Sequence, residues 1–122
     1  MRVLFSETRT LTQADFDAFA RISGDDNPIH VSPEFAARTR FGRTVAHGMM
    51  LYSVLWTLVR RDRPGARHAT QSLMFPSPAF AGEALLFEGS KRDDDAATIA
   101  LEVRRVADGT VVCQATATMA PR

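Results

Sequence analysis

The run Gly48–Arg60, GMMLYSVLWTLVR, restricts the possible folds of this chain more than any other stretch. It is apolar on every side except at Ser53 and Thr57, and a helix that is hydrophobic all round is expected to be buried all round. At 1.5 Å per residue it makes a rod about 20 Å long. The longest apolar stretch, Val45 to Val59, is interrupted by His47 and falls short of the roughly 20 residues that a membrane span needs. The helix is therefore expected at the centre of a core, with no membrane partner. A chain of 122 residues has room for one such core, so residues 1–122 are expected to form a single domain.

What covers the helix is written downstream of Pro64-Gly65, where the hydrophobic period changes to two. Ile99, Leu101 and Val103 face one way, and Val111, Cys113, Ala115, Ala117 and Met119 repeat the pattern. Asp108-Gly109 between them is a hairpin signal. Further strands are expected around His68 to Phe75 and Ala84 to Gly89, and Arg2 to Arg9 alternates loosely enough for another. One buried helix followed by a four-strand antiparallel sheet predicts an α+β layer in which the sheet curls round the helix. Such a sheet leaves edges and a face to protect, and self-association is the expected remedy.

Ahead of the apolar run, Thr12 is placed to cap a helix, with Asp15 as its capping-box partner and Leu11 and Phe16 as a hydrophobic staple. Phe16, Phe19 and Ala20 share a face, and Gly24 offers the left-handed conformation that ends the helix just before Asp25. Asp25-Asp26-Asn27-Pro28 is poor helix and poor strand, so it reads as a loop of fixed shape. Ser32-Pro33-Glu34 then restarts a short helix that fades before Gly42.

Composition excludes several classes of function. The formal charge is +1 and the arginines are scattered, which leaves no electrostatic footprint for nucleic acid. The opening MRVLFSETRT does not read as a secretory signal, and a cytoplasmic protein is expected. The single cysteine, Cys113, excludes an internal disulfide, and its place in a strand pattern suits a small core residue. His30, His47 and His68 lack the spacing of a metal site, so neither a metal nor another cofactor is expected.

The residues able to do chemistry gather in ISGDDNPIH, Ile22 to His30, and in His47-Gly48. In a loop curling over the next helix start, Asp25 and His30 can face one small volume and hold a shared water, the arrangement for general acid–base catalysis. The same residue types also make ordinary turns. A glycine opening a buried helix exposes a backbone N–H at the positive end of the dipole, where an oxyanion can sit; Gly48 also fits simple close packing. Ser53 has two open readings, a bond to the Asp25 loop or one to the carbonyl a turn back. Arg60-Arg61-Asp62-Arg63 reads either as a phosphate contact or as a solvated helix end.

SGDDNPIHVSPEFA followed by AHGMMLYS closely resembles the signature of the MaoC-like dehydratases, which include the (R)-specific enoyl-CoA hydratases of hotdog fold. The resemblance covers Phe16 to Ser53, and FPSPAFAGE further on is compatible with it. It implies a hotdog, a long central helix wrapped by a curved antiparallel sheet, in a homodimer. It further implies that Asp25 and His30 are the catalytic pair, that Gly48 supplies the oxyanion N–H, and that Asn27 and Ser53 support the loop. The implied reaction is reversible syn addition of water to a trans-2-enoyl thioester of coenzyme A or acyl carrier protein. Ser32 departs from the acidic residue of many relatives, and Tyr52 and Trp56 are bulky enough to narrow an acyl tunnel. A hotdog thioesterase, and a non-catalytic acyl-thioester-binding subunit of a heterodimeric dehydratase, are the competing readings.

Overall fold

The computed structural model describes residues 1–121. In chain order the elements are β1 (Arg2–Thr10), α1 (Gln13–Ser23), α2 (Pro28–Val31), α3 (Pro33–Ala37), α4 (Gly48–Asp62), β2 (His68–Met74), β3 (Ala84–Arg92), β4 (Asp95–Arg105) and β5 (Val111–Met119). The strands form one antiparallel sheet in the order β1-β3-β4-β5-β2. The N-terminal strand thus joins the four later ones beside β3, and α4 packs against β1, β3, β4 and β5.

Binary pattern explains the core. On β4, Ile99, Leu101 and Val103 are 0%, 2% and 0% exposed, as period two requires. They meet Leu51, Leu55, Leu58 and Val59 of α4 in one cluster. Fully burying each leucine contributes roughly 1.5–3 kcal/mol of transfer free energy. On β5 the alternation slips once: Val112 and Cys113 are both buried, because the β4–β5 register shifts between Val103 and Arg104. A bulge of this kind admits one extra residue and bends the strand. On β3, Gly89 lies opposite Phe5 of β1, and a Cβ at that position would overlap the Phe5 ring. The missing side chain lets the aromatic ring lie across the neighbouring strand.

The helix ends follow the sequence signals. Thr12 Oγ1 accepts from Asp15 N–H, and the Asp15 carboxylate accepts from Thr12 N–H, closing the capping box. Gly24 ends α1 with φ 80°, a conformation that costs glycine little. Ser32 caps α3 through Phe35 N–H.

Two expectations are corrected. The segment after Gly24 is not loop as far as Ser32: Pro28–Val31 forms α2, capped by Asn27, so His30 stands on a helical turn. Proline at the first helical position loses no hydrogen bond there, which is why the turn can start at Pro28. Nor is α4 buried all round, since Ser53, Thr57 and Arg60 are exposed and Met49 is 45% exposed. A single sheet can cover only one side of a helix, and this stripe lies on the other. Tyr52, one turn in from Gly48, is 3% exposed, and its hydroxyl shares a 2.6 Å hydrogen bond with His68 Nε2. Trp56 stacks on the same imidazole with ring centroids 3.5 Å apart. The start of edge strand β2 is thereby pinned to α4.

Candidate active site

Three short elements build the site. The turn after Gly24 is held by local bonds: Ser23 Oγ accepts from Asp25 N–H at 3.1 Å, and Asn27 Oδ1 accepts from Ile29 N–H at 3.1 Å. Asn27 thereby satisfies a donor that opens α2, as a capping residue does. The turn is also strapped to the rest of the chain. Gln13 Nε2 donates to His30 O at 2.9 Å, and Val45 N–H donates to Ile29 O at 3.0 Å. His30 is thus fixed from both sides.

The His30 ring has one chemically decisive contact: its Nδ1 lies 2.7 Å from Val45 O. A carbonyl oxygen only accepts, so Nδ1 carries a proton, and in the neutral ring Nε2 presents its lone pair. That nitrogen is 3.7 Å from Asp25 Oδ2, with the His30 side chain 15% exposed and that of Asp25 54% exposed. The separation is too long for a direct hydrogen bond and suits a shared water.

Beside the pair, α4 begins. Met50 and Leu51 N–H both donate to His47 O, but the His47 side chain makes no capping bond. Gly48 N–H has no acceptor among the described residues. The amide therefore stays open at the positive end of the helix dipole, where a developing oxyanion is stabilised. A Cβ on Gly48 would come within 2.7–2.9 Å of the Phe75 ring, so glycine is what lets this aromatic close over the helix start. Phe75 belongs to a segment tied down by Arg105, which donates to Pro78 O at 2.6 Å, and by Ala46 N–H, which donates to Ala79 O at 2.8 Å.

Asp25, His30, His47, Gly48 and Phe75 line one cavity of about 570 Å³ with Arg40 among its other lining residues. That volume is within the range of small-molecule sites. Carboxylate and imidazole ligand atoms of Asp25, His30 and His47 lie within 4.8 Å of one another. Two of the ring nitrogens are already committed, however: His30 Nδ1 to Val45 O, and His47 Nε2 to Asp25 O at 2.9 Å.

The structure thus brings together Asp25, His30 and Gly48. Asn27 stands at the edge of the site, where its exposed side chain shapes α2. Ser53 does not reach the Asp25 loop: its Oγ donates to Met49 O at 2.7 Å, and the residue is exposed. A serine in mid-helix satisfies its hydroxyl on the carbonyl one turn back when no tertiary partner is nearer. The arginines at the far end of α4 face elsewhere: Arg61 pairs with Glu7 at 2.9 Å and Arg63 with Asp62 at 3.7 Å. Cys113 is buried, and burial pushes its thiol up to about 11, so it is no nucleophile. Sequence reasoning treated His47 only as the neighbour of Gly48. Its burial inside a polar dipeptide was not readable, because the aromatic residues enclosing it come from α1.

A long helix wrapped by an antiparallel sheet defines a hotdog protein, and an open amide, a carboxylate and an imidazole stand around one of its cavities. The chain belongs to the family described as MaoC like domain, whose model matches residues 1–113. Among solved structures it resembles the (R)-hydratase from A. caviae involved in PHA biosynthesis, with TM-score 0.85, 31% identity, and 97% of this chain and 93% of that one covered. An R-hydratase from Pseudomonas aeruginosa in its unliganded form gives TM-score 0.86 at 28% identity, covering 94% of this chain and 77% of that one. In sequence the chain is 42% identical over 77 residues to the (R)-specific enoyl-CoA hydratase of Aeromonas caviae, covering 62% of this chain and 58% of the relative. It is 38% identical over 80 residues to the mitochondrial 3-hydroxyacyl-[acyl-carrier-protein] dehydratase of Arabidopsis thaliana, covering 66% and 48%. The matched segment spans about half the length of these curated relatives.

Proposed function

We propose that this protein is a hydro-lyase, an (R)-specific enoyl-CoA hydratase or 3-hydroxyacyl-thioester dehydratase, with Asp25 and His30 as its catalytic pair. The observation that carries the reading is the 3.7 Å gap between Asp25 Oδ2 and His30 Nε2, beside the unpaired Gly48 N–H. A water held in that gap is aimed at the β-carbon of a trans-2-enoyl thioester whose carbonyl oxygen rests on Gly48 N–H. As the water's oxygen bonds to the β-carbon, the pair takes one proton and the double-bond electrons move toward the carbonyl oxygen. The amide stabilises the enolate, and the pair returns a proton to the α-carbon on the same face. Addition is syn, no electrons are gained or lost, and no cofactor is required. General acid–base groups contribute typically 10²–10⁴-fold and an oxyanion donor about 10²–10³-fold. The names of the relatives support the substrate class, and coenzyme A and acyl carrier protein are both represented among them.

The reading includes a single domain over 1–122, supported by the one cluster of buried residues shared by helix and sheet. It includes a homodimer, supported by the exposed Met49–Ser53–Thr57 stripe of α4 and by the exposed outer strand β2. No helix among the described residues is long and apolar enough to cross a membrane, and we assign the protein to the cytoplasm. The test is incubation with crotonyl-CoA. Loss of the enoyl absorbance with formation of (R)-3-hydroxybutyryl-CoA is expected. Release of free thiol with the double bond retained would make the protein a thioesterase. Binding without turnover, restored by a partner chain, would make it a non-catalytic subunit.

A further inference from the structure

His47 occupies an unusual position for its chemistry. It is 2% exposed, at the N-cap of α4, where serine, threonine, asparagine or aspartate would satisfy the first amides of the helix. Its ring turns away from those amides and packs into an aromatic enclosure. Phe16 meets it edge-on at 6.5 Å, and Phe19 lies against it at 4.9 Å, both from α1. Its Nε2 is 2.9 Å from Asp25 O, so Nε2 carries the ring proton and donates it to that carbonyl. Nδ1 is buried without a partner. On its other side the ring stacks on His30, with centroids 3.9 Å apart and planes 23° apart.

We propose, resting on the reading above, that His47 is the positioning residue of the pair: one hydrogen bond and one ring stack hold Asp25 and His30 at the separation that fits a shared water. Asp25 needs such an anchor. Its carboxylate is half-exposed, and its own side-chain contact is local, to Asn27 N–H. Left to these bonds, the main chain at Asp25 would move with a surface turn. The bond from buried His47 ties that main chain to the start of α4, the element that also carries Gly48. The stack fixes the plane of His30, whose lone pair would otherwise swing about the Val45 bond. A displacement of about 1 Å at a reacting group can cost around 10²-fold in rate. A conventional capping side chain at position 47 would turn to the amide of Met49 or Met50 instead, whereas histidine is free to serve the pair.

The test uses two variants of the full chain. His47→Phe keeps an aromatic ring over His30 but lacks the donor; His47→Gln keeps a donor and loses the ring. With crotonyl-CoA, His47→Phe is expected to lower kcat roughly 30–100-fold with KM changed less than about twofold, and His47→Gln is expected to recover at least about tenfold of that loss. A kcat for His47→Phe within twofold of the parent, or a loss expressed in KM, would overturn the proposal. So would a His47→Gln variant that folds and is no better than His47→Phe. Long-range ¹H–¹⁵N spectra of the unsubstituted protein supply a readout independent of turnover and of how well the variants fold. His47 is expected to be protonated on Nε2 and His30 on Nδ1, and a His47 proton found on Nδ1 sinks the proposal. If the unsubstituted protein does not hydrate enoyl thioesters, the functional reading fails, and the spectra still decide the arrangement of the two rings.

Discussion

His30 Nε2 faces Asp25 Oδ2 across 3.7 Å while the opposite nitrogen of the same ring donates to Val45 O at 2.7 Å. The backbone bond selects the tautomer, and the tautomer makes the nitrogen nearest the carboxylate the basic one. Replacing Asp25 with asparagine keeps the shape of the turn, since an amide oxygen can still accept from Asn27 N–H, but removes the charge. Activity toward crotonyl-CoA is expected to fall by about 10³-fold or more, with the thermal midpoint within a few degrees of the parent. Turnover near the parent rate would remove Asp25 from the chemistry.

Gly48→Ala separates catalysis from folding. The atoms nearest the new methyl are the outer atoms of the Phe75 ring, and Phe75 is 44% exposed, so the ring can move aside. Alanine at a helical position is also favourable by up to about 1 kcal/mol. Stability is expected to stay level or rise slightly, while kcat/KM falls about 10- to 100-fold because the displaced ring and the methyl crowd the oxyanion amide. Denaturant melts beside steady-state kinetics check both halves.

Gly89→Ala is expected to do the reverse. Its methyl would overlap Phe5, which is 7% exposed and packed in the core, and overpacking of this kind costs about 1–3 kcal/mol. The midpoint of urea unfolding is expected to drop, with activity per folded molecule unchanged. An unaltered midpoint would show that β1 yields freely.

Stability is expected to be greatest between about pH 6.5 and 9. Burial pushes the Tyr52 hydroxyl up to about 12 from 10.0, helped by nearby Cys113, and the Cys113 thiol up to about 11 from 9.0. Above pH 9 the unfolded chain releases these protons first, so stability falls as pH rises toward 12, by on the order of 2 kcal/mol per group. Although His68 is exposed as a whole, desolvation of its ring, which packs against Tyr52 and Trp56, holds the imidazole below its ordinary value of 6.5. Below pH 6.5 the unfolded chain takes up the proton first, and stability falls as pH drops. Tyr52→Phe and Cys113→Ala are expected to flatten the alkaline limb in thermal melts at pH 8 and 10.

Thr57→Arg tests the homodimer. Thr57 is exposed on the stripe that the sheet leaves open, so the substitution is neutral within one chain and disruptive only against a second. Sedimentation is expected to show the parent at twice its 13.4 kDa and the variant at once that mass.

Where periodicity is strong, the elements were legible without coordinates. The buried triplet Ile99, Leu101 and Val103, the capping box at Thr12 and Asp15, and the stop at Gly24 each depend on residues close together in the chain, and such local signals do not need a partner. Asp25, His30 and Gly48 could be nominated the same way, from residue types and a matching motif. Tertiary structure alone decided how each of them is held. The tautomer of His30 depends on Val45 O, the anchoring of Asp25 on His47, and the closure over Gly48 on Phe75; these contacts join residues 15 to 27 positions apart in sequence. Ser53 shows the converse, because its place in the chain allowed two partners and only packing removed one. Directional bonds across the fold are set by where separate elements meet, and that meeting is determined by burying the apolar faces of all of them together.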